Sequence, residues 1–237
     1  LAGFFAVTDW MMAYLGVVSY EASHRLQLGL IEARREGRLD ADTVLMLEHP
    51  PVFTLGRSCD RRNIIKDESF LKSQGIDVIP VERGGDVTFH GPGQQVVYLL
   101  IDLKARGLEI REFVTSLEEV MIRAAQDQGV AATRDSRNIG VWVNGEKLGS
   151  IGIAVRHGIT FHGMALNVNL DLTPFHWIHP CGLKEVSMTS LAVLKKSAVN
   201  MSDVRSNIER HLQSVFKIGL KPVPSRWLEQ FAGMQVL

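Results

Sequence analysis

Val141-Trp142-Val143 runs into Asn144-Gly145 and on into Glu146 to Val155, and a second turn at His157-Gly158 leads into Ile159 to Val168. Asn-Gly between two strand-like runs is the strongest short signal for a β-hairpin. The two turns together predict a three-strand antiparallel meander, so part of the sheet must be antiparallel.

Strand-like and helix-like segments alternate on both sides of this meander. Upstream, Tyr14 to Val18, Thr43 to Glu48, Val52 to Leu55, Val78 to Glu82 and Gln95 to Leu103 read as strands. Ser19 to Glu36 reads as an amphipathic helix with Ala22, Leu26, Leu30 and Ala33 on one face, closed by Gly37. Glu68 to Ser73 is a short helix. Arg111 to Gln128 is a long one, with Phe113, Leu117, Val120, Met121 and Ala124 along a stripe. Downstream, Val204, Ile208, Leu212 and Val215 share a face of a helix over Asp203 to Phe216. The fold class expected is α+β, a mixed and largely antiparallel sheet with flanking helices, in one domain spanning 1–237. A small appendage is expected from about Asn200, and residues 1–11 read as a leader or a non-native extension.

The 237 residues balance 26 acidic against 26 basic side chains. Nothing global favours nucleic acid or an anionic membrane surface. No stretch reaches about 18 uninterrupted apolar residues, so no membrane span is expected. Two cysteines, Cys59 and Cys181, fit free thiols in a reducing compartment better than a disulfide framework.

Three stretches can carry chemistry. Arg83-Gly84-Gly85-Asp86-Val87-Thr88-Phe89-His90-Gly91-Pro92-Gly93-Gln94 allows close backbone approach to a ligand, and reads equally as a bulged strand with a Pro-Gly turn. It matches no nucleotide fingerprint. In the meander, strict alternation places Lys147, Gly149, Ile151 and Ile153 on one face. A lysine among apolar neighbours is partly desolvated and suited to proton transfer, whereas a lysine beside a hairpin turn is more commonly solvated. Third, Cys181 lies between Pro180 and Gly182, on a turn rather than in a packed element, which makes it a candidate nucleophile. His176, His179 and Cys181 also form a metal-type cluster without standard zinc spacing. Cys59 reads as an incidental thiol. Arg57, Arg61, Arg62 and Lys66 read as a solvated face or as a dock for an acidic carrier.

Taken together, these stretches resemble the octanoyltransferases of lipoate biosynthesis, the lipoyl(octanoyl)-protein transferase family. The resemblance rests on Tyr20 and Gln27, on Glu48-His49-Pro50-Pro51-Val52-Phe53-Thr54-Leu55-Gly56-Arg57, and on the Arg83 to Gln94 stretch. It continues through Gly145 to Gly152, His162-Gly163-Met164-Ala165-Leu166-Asn167-Val168-Asn169 and Pro180-Cys181-Gly182-Leu183. Phe89 and Met164 are mild departures, at positions where other aromatics are common.

The resemblance implies a fold like the catalytic domain of biotin and lipoate protein ligases, and no cofactor or metal. It implies transfer of octanoyl from acyl carrier protein to a lysine of lipoyl domains, in 2-oxoacid dehydrogenase subunits and the glycine-cleavage H protein. It assigns Cys181 as the acyl-thioester nucleophile and Lys147 as its activating partner. Substrate contacts fall on Arg83, Gly84, Gly85, Asp86, Val87, Thr88, Phe89 and His90, on Ser150, Ile151 and Gly152, and on Gly163, Met164 and Ala165. His49 is an accessory candidate, and His49 and His90 are the next bases in line. The compartment implied is the cytoplasm, or an organellar matrix in a eukaryote. Two rival readings are an ATP-dependent lipoate ligase on the same fold, and a non-catalytic carrier-protein or metal-binding module around His176, His179 and Cys181.

Overall fold

The computed structural model describes residues 9–180 and 186–233. In chain order the elements are β1 (Asp9–Val17), α1 (Tyr20–Arg35), β2 (Thr43–Glu48), β3 (Val52–Leu55), α2 (Glu68–Ser73), β4 (Asp77–Pro80), β5 (Val87–His90), β6 (Gln94–Leu100) and α3 (Leu103–Arg106). They continue as α4 (Ile110–Asp127), β7 (Gly140–Val143), β8 (Glu146–Arg156), β9 (Ile159–Asn167), α5 (Leu191–Lys195), α6 (Met201–Phe216), β10 (Gly219–Pro222) and α7 (Ser225–Phe231).

The predicted meander is β7-β8-β9. Asn144 and Gly145 have φ of 51° and 82°, and His157 and Gly158 have φ of 53° and 83°. Two successive positive φ values make a type I′ turn, whose twist matches that of the flanking strands. The meander forms one side of a seven-stranded sheet ordered β10-β1-β2-β6-β9-β8-β7. β1 is parallel to both β10 and β2, and the pairings from β2 to β7 are antiparallel. A smaller sheet, β4-β3-β5, stands beside it.

The large sheet is buried on both faces, and the period of two sorts its side chains. Val44, Met46, Val97 and Leu99 pack with Phe113, Leu117 and Met121 of α4 and with Val204, Ile208 and Leu212 of α6. Leu45, Leu47, Val96 and Tyr98 pack on the opposite face with Leu26 and Leu30 of α1 and Leu228 of α7. Each such side chain removed from water contributes about 1.5–3 kcal/mol.

Four departures from the sequence reading follow from this packing. β1 begins at Asp9, not Tyr14, and Trp10 and Met12 are buried; a strand covered on both faces reads as a plain apolar run without alternation. Residues 9–11, expected within an extension, are thus paired in the sheet. β6 ends at Leu100, because Asp102 caps α3 by accepting from the Ala105 amide at 2.9 Å. The strand expected over Val78 to Glu82 is found at Asp77–Pro80. The segment from Asn200 is no appendage: α6 packs on α4 within the shared core, and β10 extends the sheet beside β1.

Candidate active site

A cavity of about 420 Å³ opens between β8, β9, the start of α1, the start of α4 and the Arg83–His90 stretch. Its size falls in the range of small-molecule sites. Val96, Ile110, Val114, Ile139, Ile151, Ile153, Met164 and Ala165 make much of the wall apolar. Ile110 and Ile139 are half exposed, so the apolar lining reaches the surface.

Lys147 lines the cavity while being only 1% exposed. Its ammonium donates to Asn138 Oδ1 and stands 5.4 Å from the Trp142 ring centroid. Stripping an ammonium of water is costly, so such a side chain persists only among partners. The alternation that put it in phase with Gly149 does not hold. Trp142 pairs with Lys147 but Val141 pairs with Gly149, leaving Leu148 as a bulge. Lys147 therefore reaches the cavity from before the break, and Ile151 and Ile153 from after it. The backbone of Lys147 is fixed on its far side, its N–H donating to Ser187 O at 2.9 Å and its C=O accepting from the Thr189 amide at 3.0 Å.

The glycine-rich stretch docks on β8. The Gly84 amide donates to Ile153 O at 2.9 Å, and the stem of Arg83 lies over Gly152, where a Cβ would come within 3.0 Å of Arg83 Cδ. Asp86 braces the loop by accepting from Asn63 Nδ2 and from the Val87 amide, both at 2.6 Å. Arg83 is buried, and its guanidinium donates to Thr54 O at 2.6 Å, Thr54 Oγ1 at 2.9 Å and Gly84 O at 3.0 Å.

From Thr54 a chain of buried hydrogen bonds crosses the molecule, all running one way. Thr54 Oγ1 lies 3.4 Å from His90 Nε2. His90 Nδ1 lies 2.7 Å from Gln94 Oε1, which can only accept, so Nδ1 carries the proton and Nε2 accepts from Thr54. Gln94 Nε2 donates to Asn167 Oδ1 at 2.9 Å, and Asn167 Nδ2 donates to Thr189 O at 3.0 Å. Thr189 is the residue whose amide holds the Lys147 carbonyl.

Of the expected substrate contacts, Arg83, Gly84, Gly85, Asp86, Val87, Thr88, His90, Ser150, Ile151, Gly152, Gly163, Met164 and Ala165 do line the cavity. Phe89 does not. It turns to the opposite face of β5 and packs edge-on against Phe53 and Phe175 in a separate core. His49 is also off the wall and fully buried: Nδ1 donates to Val18 O at 2.6 Å and Nε2 accepts from Tyr98 OH at 2.8 Å. Burial pushes the His49 imidazole down to about 4 and that of His90 to about 3. Both rings are neutral at pH 7 with both nitrogens engaged, which leaves neither poised as a substitute base.

Cys181 lies outside the described residues, within 181–185. The other thiol, Cys59, packs against the small-sheet core, and burial together with a hydrogen bond to Asp86 pushes it up to about 12. It remains protonated at neutral pH and is a poor nucleophile. His176 is exposed and His179 half-buried. Arg57, Arg61, Arg62 and Lys66 are all exposed, with Arg62 paired to Asp60 at 2.6 Å.

The sequence reading left Asn138 and His162 out of the site. Asn138 stands in no recognisable pattern. His162 was legible only as part of a motif, yet among the described residues it is the one non-glycine lining residue with positive φ. It has φ of 58° in the middle of β9, and its amide donates to Gln27 Oε1 at 2.7 Å instead of to β6. A non-glycine residue in this region costs about 1–2 kcal/mol, and such strain concentrates at functional sites.

Residues 19–213 match the family model described as the lipoyl protein ligase A/B catalytic domain. An octanoyltransferase of Desulfotalea psychrophila is 49% identical over 180 residues, 75% of this chain and 81% of that protein. An octanoyltransferase of Caldicellulosiruptor saccharolyticus is 43% identical over 95% of this chain and 96% of its own length. Among solved structures, a putative lipoate protein ligase from T. acidophilum superposes with a TM-score of 0.73 at 16% identity, covering 95% of this chain and 93% of that one, a likeness of fold.

Proposed function

The chain belongs to the lipoyl protein ligase A/B catalytic domain family and is an octanoyltransferase of protein lipoylation, and from this premise we propose that octanoyl travels as a thioester on Cys181 with Lys147 as its acid–base partner. The observation that carries this reading is the setting of Lys147. Its side chain is sequestered at an apolar cavity, and its backbone is bonded to Ser187 and Thr189, a few residues beyond Cys181 in the chain. Cys59, the other cysteine, is held protonated and does not compete for the role.

In the first half-reaction the Cys181 thiolate attacks the thioester carbonyl of octanoyl-acyl carrier protein, and the carrier's thiol leaves. A cationic Lys147 stabilises the thiolate and then gives its proton to the departing carrier thiolate, so the two act as a coupled pair and Lys147 is left neutral for the second half-reaction. In the second half-reaction the amine of a lipoyl-domain lysine attacks the acyl-enzyme. Lys147 takes the proton as the amide forms and Cys181 departs. Thioester exchange is close to thermoneutral, so no ATP is consumed. The apolar wall holds the acyl chain at about 0.8 kcal/mol per buried methylene, which makes length selection graded. The exposed basic run at Arg57, Arg61 and Lys66 is the dock for the acidic carrier. The acceptors are the lipoyl domains of 2-oxoacid dehydrogenase subunits and the glycine-cleavage H protein. Cytoplasm, or an organellar matrix, is the setting that keeps the thiol reduced; among the described residues no helix is long and apolar enough to cross a membrane.

Mass spectrometry after mixing with octanoyl-acyl carrier protein tests the assignment. The wild-type chain gains one octanoyl mass without ATP, and Cys181→Ser gains none. An undiminished adduct on Cys181→Ser overturns the nucleophile. Lys147→Ala is expected to slow both half-reactions strongly, and a near-normal rate overturns its role.

A further inference from the structure

Behind Tyr20, three ligand-type side chains from separate parts of the fold converge. They are His24 of α1, Glu82 just after β4, and His162 of β9, with ligand atoms all within 4.8 Å of one another. His24 Nε2 lies 3.0 Å from Glu82 Oε2 without hydrogen-bond geometry, and His162 Nε2 lies 3.9 Å from the same oxygen. All three atoms are closed to solvent and lack a hydrogen-bond partner among the described residues. The two imidazoles face each other at 5.6 Å, with planes 9° apart.

We propose that His24, Glu82 and His162 form a binding site for a divalent transition-metal ion, with zinc the ion that suits them best. Two donors on one tetrahedral zinc, with bonds of about 2.0–2.2 Å, stand roughly 3.3 Å apart, and the 3.0 and 3.9 Å separations bracket that spacing. Two imidazoles and one carboxylate are a borderline donor set that leaves a fourth position open, as in sites of the three-ligand type. Tyr20 supplies the outer partner: its oxygen lies 3.2 Å from His162 Nδ1, and a proton held on Nδ1 leaves the Nε2 lone pair turned toward Glu82. The ring is held on a left-handed residue of β9, with φ of 58°. Glu82 contributes the compensating charge. Tyr20 and His162 also line the acyl cavity, so an ion bound here pins that wall and ties α1 to the glycine-rich stretch. The site shares no residue with the His176, His179 and Cys181 cluster.

The test uses the full chain, stripped with EDTA and desalted, then titrated with Zn²⁺ against a chromophoric chelator, with Co²⁺ absorption reporting the ligand field. One equivalent is expected to bind, and to raise the melting temperature. His24→Ala and Glu82→Gln, both at partly exposed side chains, should each weaken binding by more than the ~10–100-fold usual for loss of an outer partner and abolish the thermal shift. Cys181→Ser should keep the equivalent. Far-UV circular dichroism establishes that each variant is folded, and Glu82→Gln alone suffices if His24→Ala is not. Absence of binding to the wild type overturns the proposal. So does unchanged affinity in the folded variants, or loss in Cys181→Ser with retention in Glu82→Gln, which moves the ion to the cysteine.

Discussion

Thr54→Val isolates the start of the buried polar chain, because valine keeps the shape of threonine and exchanges only the hydroxyl for a methyl. Thr54 is fully buried, and its Oγ1 accepts from Arg83 at 2.9 and 3.3 Å and lies 3.4 Å from His90 Nε2. The short bond from a charged donor is worth about 1.5–3 kcal/mol. The two longer ones add little by themselves, but His90 Nε2 is then left buried and unsatisfied, at about 1–3 kcal/mol. Burying a methyl in place of a hydroxyl returns about 0.8 kcal/mol. The lost bonds win, for a net destabilisation of roughly 2–5 kcal/mol. Urea unfolding reads this as a lowered midpoint with an unchanged slope. Arg83 also lines the cavity, so octanoyl transfer should slow in the folded variant. A loss of stability below about 0.5 kcal/mol, within the range of ordinary surface substitutions, would refute the claim that Thr54 anchors Arg83 and His90.

Acid should destabilise the fold through its buried histidines. An unfolded histidine titrates near 6.5, whereas folded His49 and His90 titrate at about 4 and about 3. Below pH 6.5 the unfolded chain therefore binds more protons, and stability, whole above that pH, falls by up to about 1.4 kcal/mol per pH unit for each ring; a urea midpoint unchanged between pH 7 and 5 would contradict this. Gly163→Ala would put a Cβ 2.2 Å from the Val97 carbonyl oxygen inside the β6–β9 pairing. It should cost about 3 kcal/mol or more, and an unchanged melting temperature would show that the strands can part. Ala165→Leu pushes extra carbons into the acyl cavity and should shift preference toward shorter chains, by about fourfold per displaced methylene, in a competition between octanoyl and hexanoyl carrier protein.

The meander was legible because Asn144-Gly145 is a local signal read by a local rule. Helices α1, α4 and α6 were legible because each buries one stripe. β1 and the end of β6 were not, since a strand covered on both faces loses its alternation and a capped turn at Asp102 interrupts an apolar run. Cys181 and Lys147 stood out through their neighbours and through the family motifs. What no pattern could show is long-range: the bulge at Leu148 that rephases β8, the pairing of Asn138 with Lys147, and the turning of Phe89 away from the wall. The convergence of His24, Glu82 and His162 likewise joins three segments that share no spacing rule.

The bonds from Arg83 through Thr54, His90, Gln94 and Asn167 to Thr189 share one direction. Turning over the amide of Gln94 would set donor against donor at His90 and acceptor against acceptor at Asn167, so the imidazole tautomer is chosen by a side-chain carbonyl four residues away in the chain. The side chains at 54, 83, 90, 94 and 167 consequently depend on one another, while position 189 supplies only its backbone carbonyl. Remodelling this wall for another acyl group means replacing the set in concert or leaving every member untouched.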